Sequence, residues 1–228
     1  MHVFLFCDKY AKIGHGDFMR LRNVSGAKEI IEASKYVILN PAEYKGKYKE
    51  VFGNNNPIKI EIGMGKGTFI YNNALRYPDV NFIGIEKFDS VIARAIQKIE
   101  DTDLPNLKLI RMDALNIDEV FDKEIDTIFL NFSDPWPKNR HEIRRLTSYI
   151  FLKKYDKIFC GSNKVIQKTD NRKLFEYSIM SFNNYGYKIE ELSLDLYNDD
   201  IKENIPTEYE KKFAGRGERI YRVKATRQ

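Results

Sequence analysis

The stretch SDPWPKNRHEIRR, residues 133–145, sets Asp134 and the chain's only tryptophan, Trp136, beside two prolines and ahead of a cationic run, Lys138, Arg140, His141, Arg144 and Arg145. Proline fixes φ, lacks an N–H and restricts the residue before it. Pro135 and Pro137 therefore predict an extended turn that holds Asp134 and Trp136 with little conformational freedom left to lose on binding. A carboxylate on a stiff turn suits a reacting group, and the cations that follow suit an acceptor rich in phosphate. Two plainer readings stand beside this one: Asp134 caps the turn over a packed Trp136, and the cations are a solvated helix face.

Three further acids have a telling spacing. Glu61, Glu86 and Asp113 fall at the ends of apolar runs, IKIEIG (58–63), NFIGIE (81–86) and LKLIRMD (107–113), and the first run leads into EIGMGKG, with Gly63, Gly65 and Gly67. A glycine-dense turn between strand and helix lets backbone approach a ligand, although every parallel sheet needs such turns. A carboxylate ending the second strand is where a ribose diol hydrogen-bonds, so an adenosine ligand is expected. Glu61 would repel a pyrophosphate at the first helix N-terminus, whereas a methionine-bearing adenosine brings an ammonium and a sulfonium. The acids therefore favour S-adenosylmethionine over NAD.

These residues need elements to hold them. From residue 57 onward, short β-branched runs alternate with helical patterns, the signature of βαβ units and a parallel sheet. DTIFLNF (126–132) and KVIQKT (164–169) complete the buried strands, and 66–77, 88–100, 114–121, 141–157 and 171–184 read as helices. A helix beginning near His141 would carry Arg144 and Arg145 a turn later. Two late segments, 187–197 and 217–227, alternate as strands with no helix between them and predict an antiparallel addition to the sheet. The string GNNNP (53–57) divides a lead-in, residues 1–56, from the α/β body, 57–228.

With 228 residues, 43% hydrophobic and 31% charged, the chain has the composition of one soluble globular domain. Its net charge of +5 is unevenly spread: Glu142 is the only acid in 138–145, and 211–227 hold seven cations against Glu218. Two basic patches predict an anionic partner. Cys7, Cys160, His2, His15 and His141 form neither a disulfide framework nor metal-ligand spacing, so no metal is expected and a reducing cytosol fits. No apolar run has the length of a membrane span, and MHVFLFC has neither basic leader nor cleavage site.

The DPWPK segment and the RH…RR run after it resemble the signature of the bacterial tRNA (guanine-N7)-methyltransferase family. The likeness extends to MRLRN (19–23), IEIGMGKG (60–67), GIEKF (84–88), KTDN (168–171) and PTEYEKKFAGRGERIY (206–221), nearly everything from Met19 onward. Asn139 and Ile143 stand where many relatives carry a base. The resemblance implies a Rossmann-like class I methyltransferase: an α/β fold with a mostly parallel seven-stranded sheet in the order 3-2-1-4-5-7-6, the last strand antiparallel. It implies transfer of the S-adenosylmethionine methyl group to N7 of a guanine in the tRNA variable loop, leaving S-adenosylhomocysteine. Glu61, Gly63, Gly65, Gly67, Glu86, Lys87, Asp113, Ala114 and Asp134 would line the S-adenosylmethionine site, with Asp134 catalytic. Lys138, Arg140, His141, Arg144, Arg145, Asp170, Thr207, Glu208, Tyr209 and Glu210 would meet tRNA.

Further expectations follow from the same likeness. Guanine N7 has an in-plane lone pair and no proton, so Asp134 is expected to accept from guanine N1 and N2 and to stabilise charge on the ring, with Glu210 or Asp170 as a second acceptor. Met19 is expected to be the native start, residues 1–18 lying outside the resemblance, with Arg20, Arg22 and the C-terminal bases extending the RNA contact. The protein would act as a monomer or homodimer. Competing readings are a nicotinamide-dependent oxidoreductase, a noncatalytic RNA-binding module with an adenosine pocket, and an amino-directed nucleic-acid methyltransferase. The oxidoreductase has no use for the DPWPK turn, and the amino-directed enzyme carries proline-proline-aromatic in place of Pro135-Trp136-Pro137.

Overall fold

The computed structural model describes residues 24–199, 201 and 204–227, apart from the Ser162 side chain. The expectations for residues 1–18, Met19, Arg20 and Arg22 lie outside the described residues. The near-continuous apolar runs read above become strands buried on both faces, β1 (Ile58–Ile62), β2 (Asn81–Glu86), β3 (Leu107–Arg111) and β4 (Ile125–Asn131). β5 (Phe159–Thr169), β6 (Lys188–Ser193) and β7 (Tyr221–Thr226) complete one sheet, in the order β3-β2-β1-β4-β5-β7-β6. β1 to β5 pair in parallel, and β7 runs antiparallel to β5 and β6. The expected strand order is the observed one.

Helices cover both faces. On one side α1 (Ala27–Ala33), α3 (Thr68–Arg76) and α4 (Asp89–Ile99) bury Ile31, Phe69, Ile70, Ile92 and Ile96 against Phe82, Leu109 and Phe129. On the other, α5 (Ile117–Val120), α6 (Tyr149–Ile158) and α7 (Arg172–Tyr185) bury Val120, Phe151, Tyr155, Phe175 and Phe182 against Ile60, Ile128 and Val165. The short α2 (Tyr48–Phe52) sets Tyr48 against Phe121, ring centroids 4.8 Å apart. β1 has β2 on one side and β4 on the other, so strand order reverses between β1 and β4, where an open α/β sheet leaves a crevice at its carboxyl edge. None of the helices among the described residues is long and apolar enough to cross a membrane.

Three local expectations are corrected. The helix expected over 141–157 is a 3₁₀ turn, Asn139–Arg144, followed by a turn at 146–147 between an extended Arg145 and an extended Ser148, and then α6 from Tyr149. Ser148 occupies the N-cap, and Thr147 is tied sideways to α7 through Ser178 Oγ at 2.8 Å, contacts that helical backbone through 145–148 would forfeit. β5 begins at Phe159, five residues earlier than expected, because the chain bulges between the Ile125–Phe159 and Thr127–Lys164 pairings. The interval between the late strands holds a helix, α8 (Glu208–Ala214), opened by a capping box in which Thr207 Oγ1 accepts from the Glu210 amide and the Glu210 carboxylate accepts from the Thr207 amide.

Candidate active site

The strand ends bring the four acids to one edge of the sheet. Glu61 is buried, with 2% of its surface exposed, and its Oε1 accepts a hydrogen bond from Asn131 Nδ2 at 2.8 Å across the β1–β4 crevice. Its Oε2 and the Asn131 Oδ1 are buried with no hydrogen-bond partner. Burial pushes the Glu61 carboxyl up to about 8, against the opposing pull of Asn131 and Lys168. Glu86 is also buried, yet it accepts from three backbone amides: Gly65 at 3.1 Å on one oxygen, Lys87 at 2.8 Å and Phe88 at 3.1 Å on the other. Its pKa is raised, by burial first, and the negative charge of Asp134 adds to the rise.

Asp113 is more open. Burial raises its carboxyl, but the Leu115 amide and Lys87 outweigh that and leave it below the usual range. Lys87 Nζ lies 2.7 Å from its Oδ2, so the lysine that follows Glu86 bridges to the end of β3, where Ala114 starts a 3₁₀ turn. The glycines divide by role. Gly63 at φ 76° and Gly65 at φ 57° have open space where a Cβ would stand, whereas Gly67, at φ 73°, has Ala95 Cβ 3.2 Å from that point. Gly63 and Gly65 thus keep the turn open towards a ligand, and Gly67 lets α3 pack on α4.

The loop after β4 differs from the expected extended turn. Phe132 at φ 51° and Trp136 at φ 43° are both left-handed, an uncommon conformation for bulky residues. Asp134 is exposed at the loop's surface, and the surrounding protein still raises its pKa. Trp136 is flanked by His141, edge-on at 5.7 Å, and by the Arg144 guanidinium, 4.9 Å from its ring. Arg145 turns inward, donating from Nε to the Pro135 carbonyl at 3.2 Å and from Nη2 to the Trp136 carbonyl at 3.0 Å. Lys138, Arg140 and Arg144 are exposed beside it. Slight burial and then the charges of Arg144, Arg140 and Lys138 hold the His141 pKa below its usual value.

α8 closes over this edge, and each residue of its TEYE opening has a place. Thr207 caps the helix. Glu208 accepts from Thr68 Oγ1 at 2.7 Å and pairs with Lys98 at 3.0 Å, tying α8 to α3 and α4. The Tyr209 ring lies 4.8 Å from Phe132 and 4.0 Å from Phe213, and its hydroxyl is 3.4 Å from Asp170. Glu210, expected at the RNA, is instead fully buried: it pairs with Lys168 Nζ at 2.5 Å and accepts from Asn204 Nδ2 at 2.5 Å. With its oxygens so engaged it is not placed to be a second acceptor for guanine. Lys168 also donates to the Ile205 carbonyl at 2.9 Å; burial pushes its pKa down and Glu210 pulls it back.

The described site thus gathers Glu61, Gly63, Gly65, Glu86, Lys87, Asp113, Ala114 and Asp134 at the strand ends, with Asp170 and Tyr209 alongside. Asn131, Phe132 and Lys168 were missed; the only sequence signal for them was their place inside LNFSD and KTDN. The C-terminal bases form no tail. Arg222 is buried within β7 opposite Glu191, while Lys224 pairs with Glu190 at 3.2 Å and Arg227 with Asp156 at 2.5 Å. A cavity of about 190 Å³ opens elsewhere, between α3 and the sheet, lined in part by Lys59, Asn73, Lys168 and Arg222; none of the four acids reaches it.

Residues 55–223 match a family model described as putative methyltransferase. The chain is 53% identical over 209 residues to the tRNA (guanine-N(7)-)-methyltransferase of Bacillus licheniformis, covering 91% of this chain and 98% of that protein. It is 50% identical over 209 residues to that of Streptococcus sanguinis, covering 91% and 99%. Among solved structures, the aminoglycoside resistance methyltransferase NpmB1 aligns with a TM-score of 0.59 at 17% identity, covering 84% of this chain and 95% of that one. A 16S rRNA (adenine(1408)-N(1))-methyltransferase of Catenulisporales acidiphilia, solved with its cosubstrate SAM, gives 0.55 at 11%, covering 83% and 92%. These last two are likenesses of fold.

Proposed function

The chain belongs to the tRNA (guanine-N(7)-)-methyltransferase family, and from that premise we propose how its residues divide the work of methylating guanine N7 in tRNA. The activity rests on identity of about half the residues along nearly the whole of the relatives' length. The site reading rests on one observation above the rest: Asn131, three residues before Asp134, is bound to the buried Glu61, so the crevice and the DPWP loop are one assembly.

The atoms of the crevice fit S-adenosylmethionine. Glu61 Oε2 and Asn131 Oδ1 are buried acceptors suited to an ammonium group, and Gly63 and Gly65 leave the adjoining turn open. A carboxylate offers about four acceptor positions, so Glu86, holding three amides, retains one on Oε2 for a ribose hydroxyl. Asp113 and Ala114 would border the adenine. When bound, S-adenosylmethionine supplies a methyl group made electrophilic by its sulfonium.

Guanine N7 presents its lone pair without losing a proton, so no side chain has to act as a base before transfer. Positive charge grows on the purine instead. Asp134 would hold the base by accepting from its N1 and N2 groups and would stabilise that charge, while Lys138, Arg140 and Arg144 meet phosphates. The guanine must be unstacked to expose N7, as in the tRNA variable loop, because a folded RNA duplex hides that atom in a deep groove. A cytosolic setting suits this substrate and the chain's sparse cysteines. Tritiated methyl transfer to bulk tRNA, followed by borohydride and aniline treatment, tests the reading: chain scission reports N7-methylguanine, and labelled tRNA that resists scission refutes it.

A further inference from the structure

The DPWP loop does not hold itself. Pro135 and Pro137 contribute no N–H donors, Trp136 sits at φ 43°, and left-handed backbone at such a residue persists only where its surroundings impose it. What imposes it is Arg145. Its guanidinium donates to the consecutive Pro135 and Trp136 carbonyls at 3.2 and 3.0 Å, and lies 4.2 Å over the Tyr177 ring of α7, which backs the fork from behind. Arg145 is half-buried, while its neighbour Arg144 is exposed. A planar guanidinium can satisfy two adjacent carbonyls and stack on an aromatic at once, and an ammonium cannot.

We propose that Arg145 is a positioning residue, a clamp between α7 and the Pro135–Pro137 turn that fixes Asp134 at the mouth of the crevice, and that it does not serve as an RNA phosphate contact. The proposal rests on the reading of Asp134 as the carboxylate that faces guanine. It changes what a conservative substitution does. A phosphate contact tolerates lysine; the clamp does not.

The test compares Arg145→Lys and Arg145→Gln with the wild type by single-turnover methylation, by tRNA affinity across a salt series, and by tryptophan emission. Because Trp136 is the only tryptophan, emission reports the turn directly. Both variants are expected to slow transfer by about 10²-fold, the scale of a misplacement near 1 Å, while the salt slope of binding stays unchanged and the emission maximum shifts. Near-normal turnover for Arg145→Lys, with a slope reduced by about 1 for Arg145→Gln, would overturn the clamp in favour of a phosphate contact. Unchanged emission in a folded Arg145→Lys overturns it whatever Asp134 does. Shifted emission with unchanged turnover overturns the positioning role. If Asp134→Asn keeps the full rate, it is the reading of Asp134 that fails. Should Arg145→Gln not fold, Arg145→Lys, which keeps the charge and the apolar stem, carries the comparison.

Discussion

Glu61 is a poor choice for stability and a good one for a ligand. A buried carboxyl with one unsatisfied oxygen costs about 1–3 kcal/mol, offset here by the Asn131 amide and by the charge of Lys168. The cost has a pH signature. With its folded pKa up at about 8 and the ordinary value 4.5, Glu61 keeps its proton in the fold where the unfolded chain has already released it. The native state then binds more protons, so stability is greatest below the ordinary pKa and falls as pH rises towards 8. Glu61→Gln should flatten that fall, read as urea midpoints near pH 5 and near pH 8; parallel profiles would show that Glu61 ionises normally in the fold. A cationic ligand favours the ionised carboxyl, so calorimetric titration with S-adenosylmethionine in buffers of different ionisation enthalpy should show proton release, absent in Glu61→Gln. Asp134 is the contrasting acid, exposed on its turn yet near enough to Glu86 for its charge to raise that carboxyl's pKa. Asp134→Asn keeps the turn and loses the charge, so single-turnover transfer should fall by roughly 10²-fold and remain measurable. Undetectable product with cofactor and tRNA still bound would assign the carboxylate more than charge stabilisation. Glu61, Glu86 and Asp113 were legible from the ends of apolar runs and Asp134 from the prolines beside it; Asn131 was not, since only the folded structure shows that it meets Glu61.

α8 shows what the linear pattern hides at the scale of an element. TEYE followed by KKF is a capping box opening a helix, and it read as a loop only because the flanking strands alternate so clearly. Four side chains that the family likeness assigns to RNA also make contacts that hold this helix, and Glu210 is the most deeply engaged of them. Thr207→Ala should therefore cost about 1 kcal/mol locally, seen as roughly fivefold faster hydrogen exchange of the 208–214 amides with the sheet amides unchanged. Lys168→Met is harsher, because it leaves the Glu210 charge buried without its partner, and an unfolding free energy lower by about 3–5 kcal/mol is expected. Equal protection in both variants would mean that α8 is held by Phe213 and Tyr209 alone. The strands and their order were readable from apolar runs and from the family likeness. The break before α6 was not, because Arg144 and Arg145 look alike in sequence while one faces solvent and the other grips the DPWP turn.

Over the whole molecule the surplus is only +5, so the field that draws in tRNA depends on where charge is cancelled. In β7 and just beyond it, Arg222, Lys224 and Arg227 each stand against an acid, Glu191, Glu190 and Asp156. A charge with its opposite a few ångströms away contributes little beyond a Debye length of about 10 Å. The loop at 138–144 adds Lys138, Arg140 and Arg144, exposed in and just before the 3₁₀ turn that also holds Glu142, and their charges help depress the pKa of His141. Part of the C-terminal basic patch is thus neutralised in and just beyond β7, while its Lys211, Lys212 and Arg216 stay exposed, as do the loop's cations. Removing one cation from a phosphate lowers the dependence of log K on log salt by about 1. The Lys138→Gln, Arg140→Gln double variant should flatten that slope by about 2 and weaken binding of all tRNAs alike, whereas Lys224→Gln should leave the slope where it was. A slope that responds to Lys224 and ignores the loop would move the RNA to the antiparallel edge of the sheet, away from Asp134.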